Sequence, residues 1–131
     1  MTLYPGPNFE TRIDELRAIQ THEEPDIDGN DGEMETIHAI PNQIFDQMYA
    51  LLAAIQQIGP FLNPSIGASR DGNIQLMWTT WRLCIEIQSN QRITMFNCYP
   101  DGYTTIHHYN LPNDALGKLI YERLSSFDSK A

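Results

Sequence analysis

Between residues 71 and 111 apolar and polar positions alternate with a period of two. Ile74, Leu76 and Trp78 fall on alternate positions, and so do Leu83, Ile85 and Ile87, which interleave with Arg82, Cys84, Glu86 and Gln88. This spacing marks strands with one buried face. A four-residue connection over 79–82 sets Trp78 opposite Leu83, Leu76 opposite Ile85 and Ile74 opposite Ile87, so the three apolar pairs share a side. A three-residue connection would set Ile74 against Glu86 and Leu76 against Cys84, because a slip of one residue turns a strand over. The turn Ser89-Asn90-Gln91 then aligns Ile87 with Ile93 and Ile85 with Met95. In Tyr99-Pro100-Asp101-Gly102-Tyr103 the proline presets φ and the glycine accepts a left-handed position, which suits a tight hairpin. It aligns Met95 with His107. The pattern predicts a four-stranded antiparallel meander.

Elsewhere the period changes to that of a helix. Ile44, Phe45, Met48, Leu51, Leu52 and Ile55 recur at three- and four-residue steps, Asn42 can cap them, and Gly59-Pro60 ends the run, which predicts a helix over about 42–58. Its stripe should lie across the greasy face of the meander. Leu116, Leu119, Ile120, Leu124 and Phe127 form a second stripe behind Asn110 and Pro112, predicting a helix over about 112–126, with Asp114 near its positive end and Gly117 a cost in its middle. This helix either joins the first or covers the other sheet face, where Cys84, Phe96, Cys98 and Ile106 collect. Near the start, Asn8 or Thr11 can cap a short docking helix to Gln20 with Phe9, Ile13, Leu16 and Ile19 on one side. Residues 21–32 lack apolar periodicity, contain proline and two glycines, and read as a loop. Residues 34–40 either extend the sheet or lead into the next helix, and Ser65–Ser69 suits a brief edge strand. The predicted class is α+β. Residues 1–35 form an acidic arm and 36–131 a single domain.

Charge sharpens that division. The chain has 131 residues and a formal net charge of −9. Up to Glu35, ten acids stand against Arg12 and Arg17, giving −8, and the remaining 96 residues carry −1. Such an arm repels nucleic acid and anionic membrane and suits a partner with a basic surface. A chain of this length buries roughly two-thirds of its unfolded surface and needs no disulfide. Two cysteines, no basic-then-apolar leader pattern and no apolar run near ~20 residues lead us to expect a cytoplasmic protein.

Candidate chemistry is sparse. Asp26, Asp28 and Asn30 match the first ligands of a calcium loop, but the sixth position is Asp31 instead of glycine and the twelfth is Ile37 instead of glutamate. Cys84 and His108 share a sheet face two strands apart, about 9–10 Å and beyond the reach of a base. Glu86, Thr94 and His108 form a row typical of a surface ladder. His107 and His108, adjacent in one strand, diverge. No phosphate-binding, nucleophile-elbow or zinc motif is present, so no enzymatic activity and no cofactor are expected.

The run DGNIQLMW followed by LCIEIQ, residues 71–88, resembles the DGxIxLEW…LxIEI hairpin of small uncharacterised bacterial and phage α+β proteins, with Met77 in place of the pattern's Glu. The resemblance implies a bacterial, plasmid or phage source and carries no activity. The sequence therefore points to a protein-interaction module, an inhibitor, immunity or antitoxin-like protein. Trp81 and Arg82, residue types enriched at binding hot spots, and the acidic Glu23, Glu24, Asp26 and Asp28 are its expected partner-binding residues. A dimeric secretion-type chaperone and a small-ligand or calcium-binding accessory domain are the alternatives.

Overall fold

The computed structural model describes residues 2–25, 33–78, 83–88, 92–98, 104–109 and 113–128. In chain order these form α1 (Phe9–Arg17), β1 (His22–Pro25), β2 (Met34–Ile37), α2 (Asn42–Ile58), β3 (Ser65–Ala68), β4 (Ile74–Trp78), β5 (Leu83–Ile87), β6 (Ile93–Cys98), β7 (Thr104–Tyr109) and α3 (Asn113–Asp128). The class is α+β with antiparallel sheets, but the expected four-stranded meander is a five-stranded sheet ordered β3-β4-β5-β6-β7. The fifth strand is Ser65–Ala68, which pairs with β4. A separate two-stranded sheet joins β1 to β2.

The derived register is the observed one. Trp78 faces Leu83, Leu76 faces Ile85 and Ile74 faces Ile87. Ile87 faces Ile93, Ile85 faces Met95, and Met95 faces His107. Ile66 extends one apolar row to Ile66–Leu76–Ile85–Met95. The side chains of that row are all buried, as are Ile74, Trp78, Leu83, Ile87 and Ile93 and the whole expected α2 stripe. The connecting turns at 79–82, 89–91 and 99–103, the expected cap at Asn110 with Pro112, and the side chains of Cys98, His107 and Phe127 lie outside the described residues.

All three helices contribute to one core on one side of the sheet. The C-terminal helix joins α2 instead of covering the second face. Gly117 explains how: a Cβ there would stand 3.0 Å from the Ala54 Cβ and 3.2 Å from the Ile55 nitrogen, so the small pair lets the two helices approach closely. α2 begins at Asn42, after Pro41 in extended geometry, so Asn42 is inside the helix and makes no side-chain cap. α1 ends at Arg17, three residues before the expected Gln20.

The N-terminal segment is fastened to the body. Phe9, Ile13 and Leu16 are buried in the shared core. Ahead of them, Tyr4 N–H donates to the Phe61 carbonyl at 2.9 Å and Asn63 N–H to the Thr2 carbonyl at 2.9 Å. Tyr4 stacks on Phe61 at 5.0 Å and meets Phe9 edge-on at 5.0 Å, while Arg17 lies 4.3 Å over the Phe45 ring. Among the described residues no helix is long and apolar enough to cross a membrane.

Candidate functional site

Residues 21–32 were expected to be a loop, yet His22–Pro25 form a strand with Met34–Ile37. Neither strand buries a face against the core. All four β1 residues are exposed and β2 alternates exposed and half-buried. A two-stranded hairpin is marginal alone in water, so its persistence rests on its base. There Ala39 N–H donates to Thr21 Oγ1 at 3.0 Å, His38 N–H donates to the Arg70 carbonyl at 2.9 Å, and Arg70 pairs with Glu35. Arg70 belongs to the turn before β4, where Gly72 has φ +83° and passes so close to the Ala39 carbonyl that a Cβ would lie 2.7 Å from it.

The hairpin presents carboxylates. Glu23 is exposed opposite Thr36, and Glu24 lies directly opposite Glu35. Like charges across a ladder repel, and each has its own partner here, Glu24 the His22 ring at 2.8 Å and Glu35 the Arg70 guanidinium. The His22 ring also places Nδ1 2.6 Å from the Gln20 carbonyl. That carbonyl first, and then the Glu24 carboxylate, hold its pKa above the usual histidine value. On the neighbouring helix, Glu10 accepts the Tyr49 hydroxyl at 2.9 Å; burial first and this carboxylate next push Tyr49 above the ordinary tyrosine range. The arrangement is a rigidly based acidic surface and brings no nucleophile beside a base.

Of the expected partner-binding residues, the structure places Glu23 and Glu24 on β1, while Asp26, Asp28, Trp81 and Arg82 lie outside the described residues, as does the remaining calcium-loop match Asn30. The register sets Cys84 beside Phe96 and His108 beside Thr94, so the thiol and the imidazole are two strands apart. Glu86, Thr94 and His108 do form one ladder row. In it Thr94 Oγ1 lies 2.9 Å from His108 Nδ1, and Glu86 accepts Asn73 Nδ2 at 2.9 Å. Among the described residues no three His, Cys, Asp or Glu side chains gather where they could hold a metal ion.

Two features escape a reading by motif. A groove of about 310 Å³ runs between α1 and β3, with Asn8, Arg12, Asn63 and Ser65 around Phe9 and Ile66. Its polar groups hold the fold: Arg12 Nε donates to the Ile66 carbonyl at 2.9 Å, Arg12 Nη1 meets Glu15 at 2.9 Å, and Asn63 Oδ1 accepts Gly6 N–H at 3.1 Å. The second feature is the sheet face away from the helices, where the register aligns Met77, Cys84, Phe96 and Ile106 in one row. Met77, Cys84 and Phe96 are half-buried, whereas Ile106 at the end of the row is 54% exposed. Strand pairing derived from the sequence already contains this row; how far each member is exposed does not follow from pairing.

Comparison with protein families, with curated proteins and with solved structures finds no match to this chain.

Proposed function

We propose that this protein is a non-catalytic interaction module that binds and restrains another protein through its acidic hairpin. One observation carries the reading: a hairpin with no core-facing side is nevertheless anchored at its base by Arg70 and Thr21 and carries exposed Glu23 and Glu24. A strand pair that packs nothing contributes little to folding, so its retention fits a role at the surface. The partner it suits presents lysine and arginine. Complementary charge speeds encounter and suppresses wrong partners. The same charge disfavours nucleic acid and anionic lipid. Trp81 and Arg82, of residue types enriched at binding hot spots, are proposed as a separate partner contact on that ground alone.

The test is affinity capture from the source cell with the wild-type chain and with a variant carrying Glu23→Gln, Glu24→Gln, Asp26→Asn and Asp28→Asn. A protein with a basic surface is expected on the wild type, held at least about tenfold more weakly by the variant and more weakly as salt rises from about 50 to 200 mM. A captured protein that binds both chains equally well, or binds independently of salt, overturns the reading and favours a chaperone that selects apolar segments.

A further inference from the structure

The two edges of the five-stranded sheet differ. β3 is short, four residues following Pro64, and it contains Gly67. Its exposed edge is also occupied, because Arg12 donates Nε to the Ile66 carbonyl from α1. Short strands, neighbouring proline, charge and covering helices are the devices by which sheets keep other strands away. β7 differs in its own sequence. It is six residues long, TTIHHY, with no proline, lysine or acid, and among the described residues no strand pairs with its outer side. It also ends the apolar row of the sheet face away from the helices, with the 54% exposed Ile106.

Charge is also uneven along the chain. Residues 92–131, which make β6, β7 and α3, hold Arg92, Lys118, Arg123 and Lys130 against Asp101, Asp114, Glu122 and Asp128 and are neutral. Residues 1–91 carry the whole −9, thirteen acids against four arginines. The hairpin base is tied to the turn between β3 and β4, and four strand spacings of ~4.8 Å separate β3 from β7, about 19 Å and beyond a Debye length of ~8 Å. A second copy of so acidic a chain is repelled from the β3 side and meets no net charge at β7.

We propose that a second copy of this chain docks on β7, its own β7 antiparallel to the first about a twofold axis, joining two five-stranded sheets into one of ten strands. In such a pairing each copy presents the same strand edge to the other, as a twofold interface requires. It brings the row ending in Ile106 against its own copy and leaves the two defended β3 edges outermost, so assembly stops at two. This site is on the far side of the sheet from the acidic hairpin and does not depend on the partner proposed for it.

Sedimentation equilibrium tests the proposal with the full chain. At chain concentrations of about 100 μM the expected mass is about 30 kDa, twice the 15.0 kDa of one chain. Ile106→Lys, which puts a charge on an exposed position, should weaken the dimer by about tenfold or more while leaving circular dichroism and the melting temperature of the monomer unchanged; Ile106→Thr should keep the dimer. Added salt, by screening the overall −9, should tighten this association, opposite to its effect on the hairpin's partner. Hydrogen exchange should show β7 amides losing protection on dilution. A 15.0 kDa species at all concentrations and salts overturns the proposal. So does a dimer indifferent to Ile106→Lys, growth beyond two chains, or dilution-dependent protection confined to the hairpin.

Discussion

His22 stands between two acceptors, the Gln20 carbonyl at 2.6 Å and the Glu24 carboxylate at 2.8 Å. A neutral imidazole has one N–H and can satisfy only one of them, whereas the imidazolium satisfies both. The raised pKa follows from that geometry, carbonyl first and carboxylate second. Because the folded value exceeds the unfolded one, the contact's contribution is complete below about pH 6.5 and is lost as pH rises through the raised value. An NMR titration of the His22 ring should give a midpoint above ~6.5, and Glu24→Gln should lower it. A wild-type midpoint at or below ~6.5 would show that the ring does not bridge the two acceptors in solution. The residue is fully exposed, so the change belongs to the order of the hairpin and leaves the melting of the core unaffected.

At the scale of elements, α2 is the keystone: Ile44, Phe45, Met48, Leu51, Leu52 and Ile55 are all buried, and Leu52 is 0% exposed. Leu52→Asp would place a carboxylate among apolar groups with no partner, a cost comparable with the ~5–15 kcal/mol that holds a domain folded. The expected result is an insoluble chain or one without a cooperative melt; a soluble, cooperatively melting Leu52→Asp protein would refute the packing of α2. Elements were legible in the sequence to the degree that they bury a face. The β4–β5–β6–β7 register followed from keeping apolar pairs on one side, and α2 from its stripe. β3 sends only Ile66 fully into the core and is too short to show a period. β1 and β2 send no side chain into the core, and their sequences HEEP and METI show no apolar alternation; their pairing depends on backbone bonds and on anchors at Thr21 and Arg70 that are distant in sequence. Gly117 read as a mid-helix cost, because only the approach of Ala54 gives its missing side chain a use. The candidate site was legible in the same uneven way: the carboxylates are plain in the sequence, and their presentation on a strand is not.

The acids of the molecule are concentrated near the start of the chain, yet charge and folding do not divide at the same residue. The N-terminal 35 residues carry −8, and within them Phe9, Ile13 and Leu16, each no more than 2% exposed, belong to the same core as α2. At ~1.5–3 kcal/mol for each such side chain, the three contribute about 4.5–9 kcal/mol, on the order of the entire stability of a domain. The strand-like bridge from Leu3 to Leu62 and the stacking of Tyr4 on Phe61 add to that attachment. Among the described elements the β1–β2 hairpin stands outside the core, where a partner can reach it. Two shortened chains separate these roles. A chain beginning at Thr21 loses α1 and should show no cooperative urea transition, since the surface over β3 and Phe45 would face water. A chain in which Glu23–Glu35 is replaced by a two-residue Asn-Gly turn keeps every core side chain. It should unfold with an m-value close to that of the intact protein, because m follows the surface exposed on unfolding. Cooperative folding of the first chain, or collapse of the second, would mean that the acidic segment divides between core and surface at some other point than the end of α1.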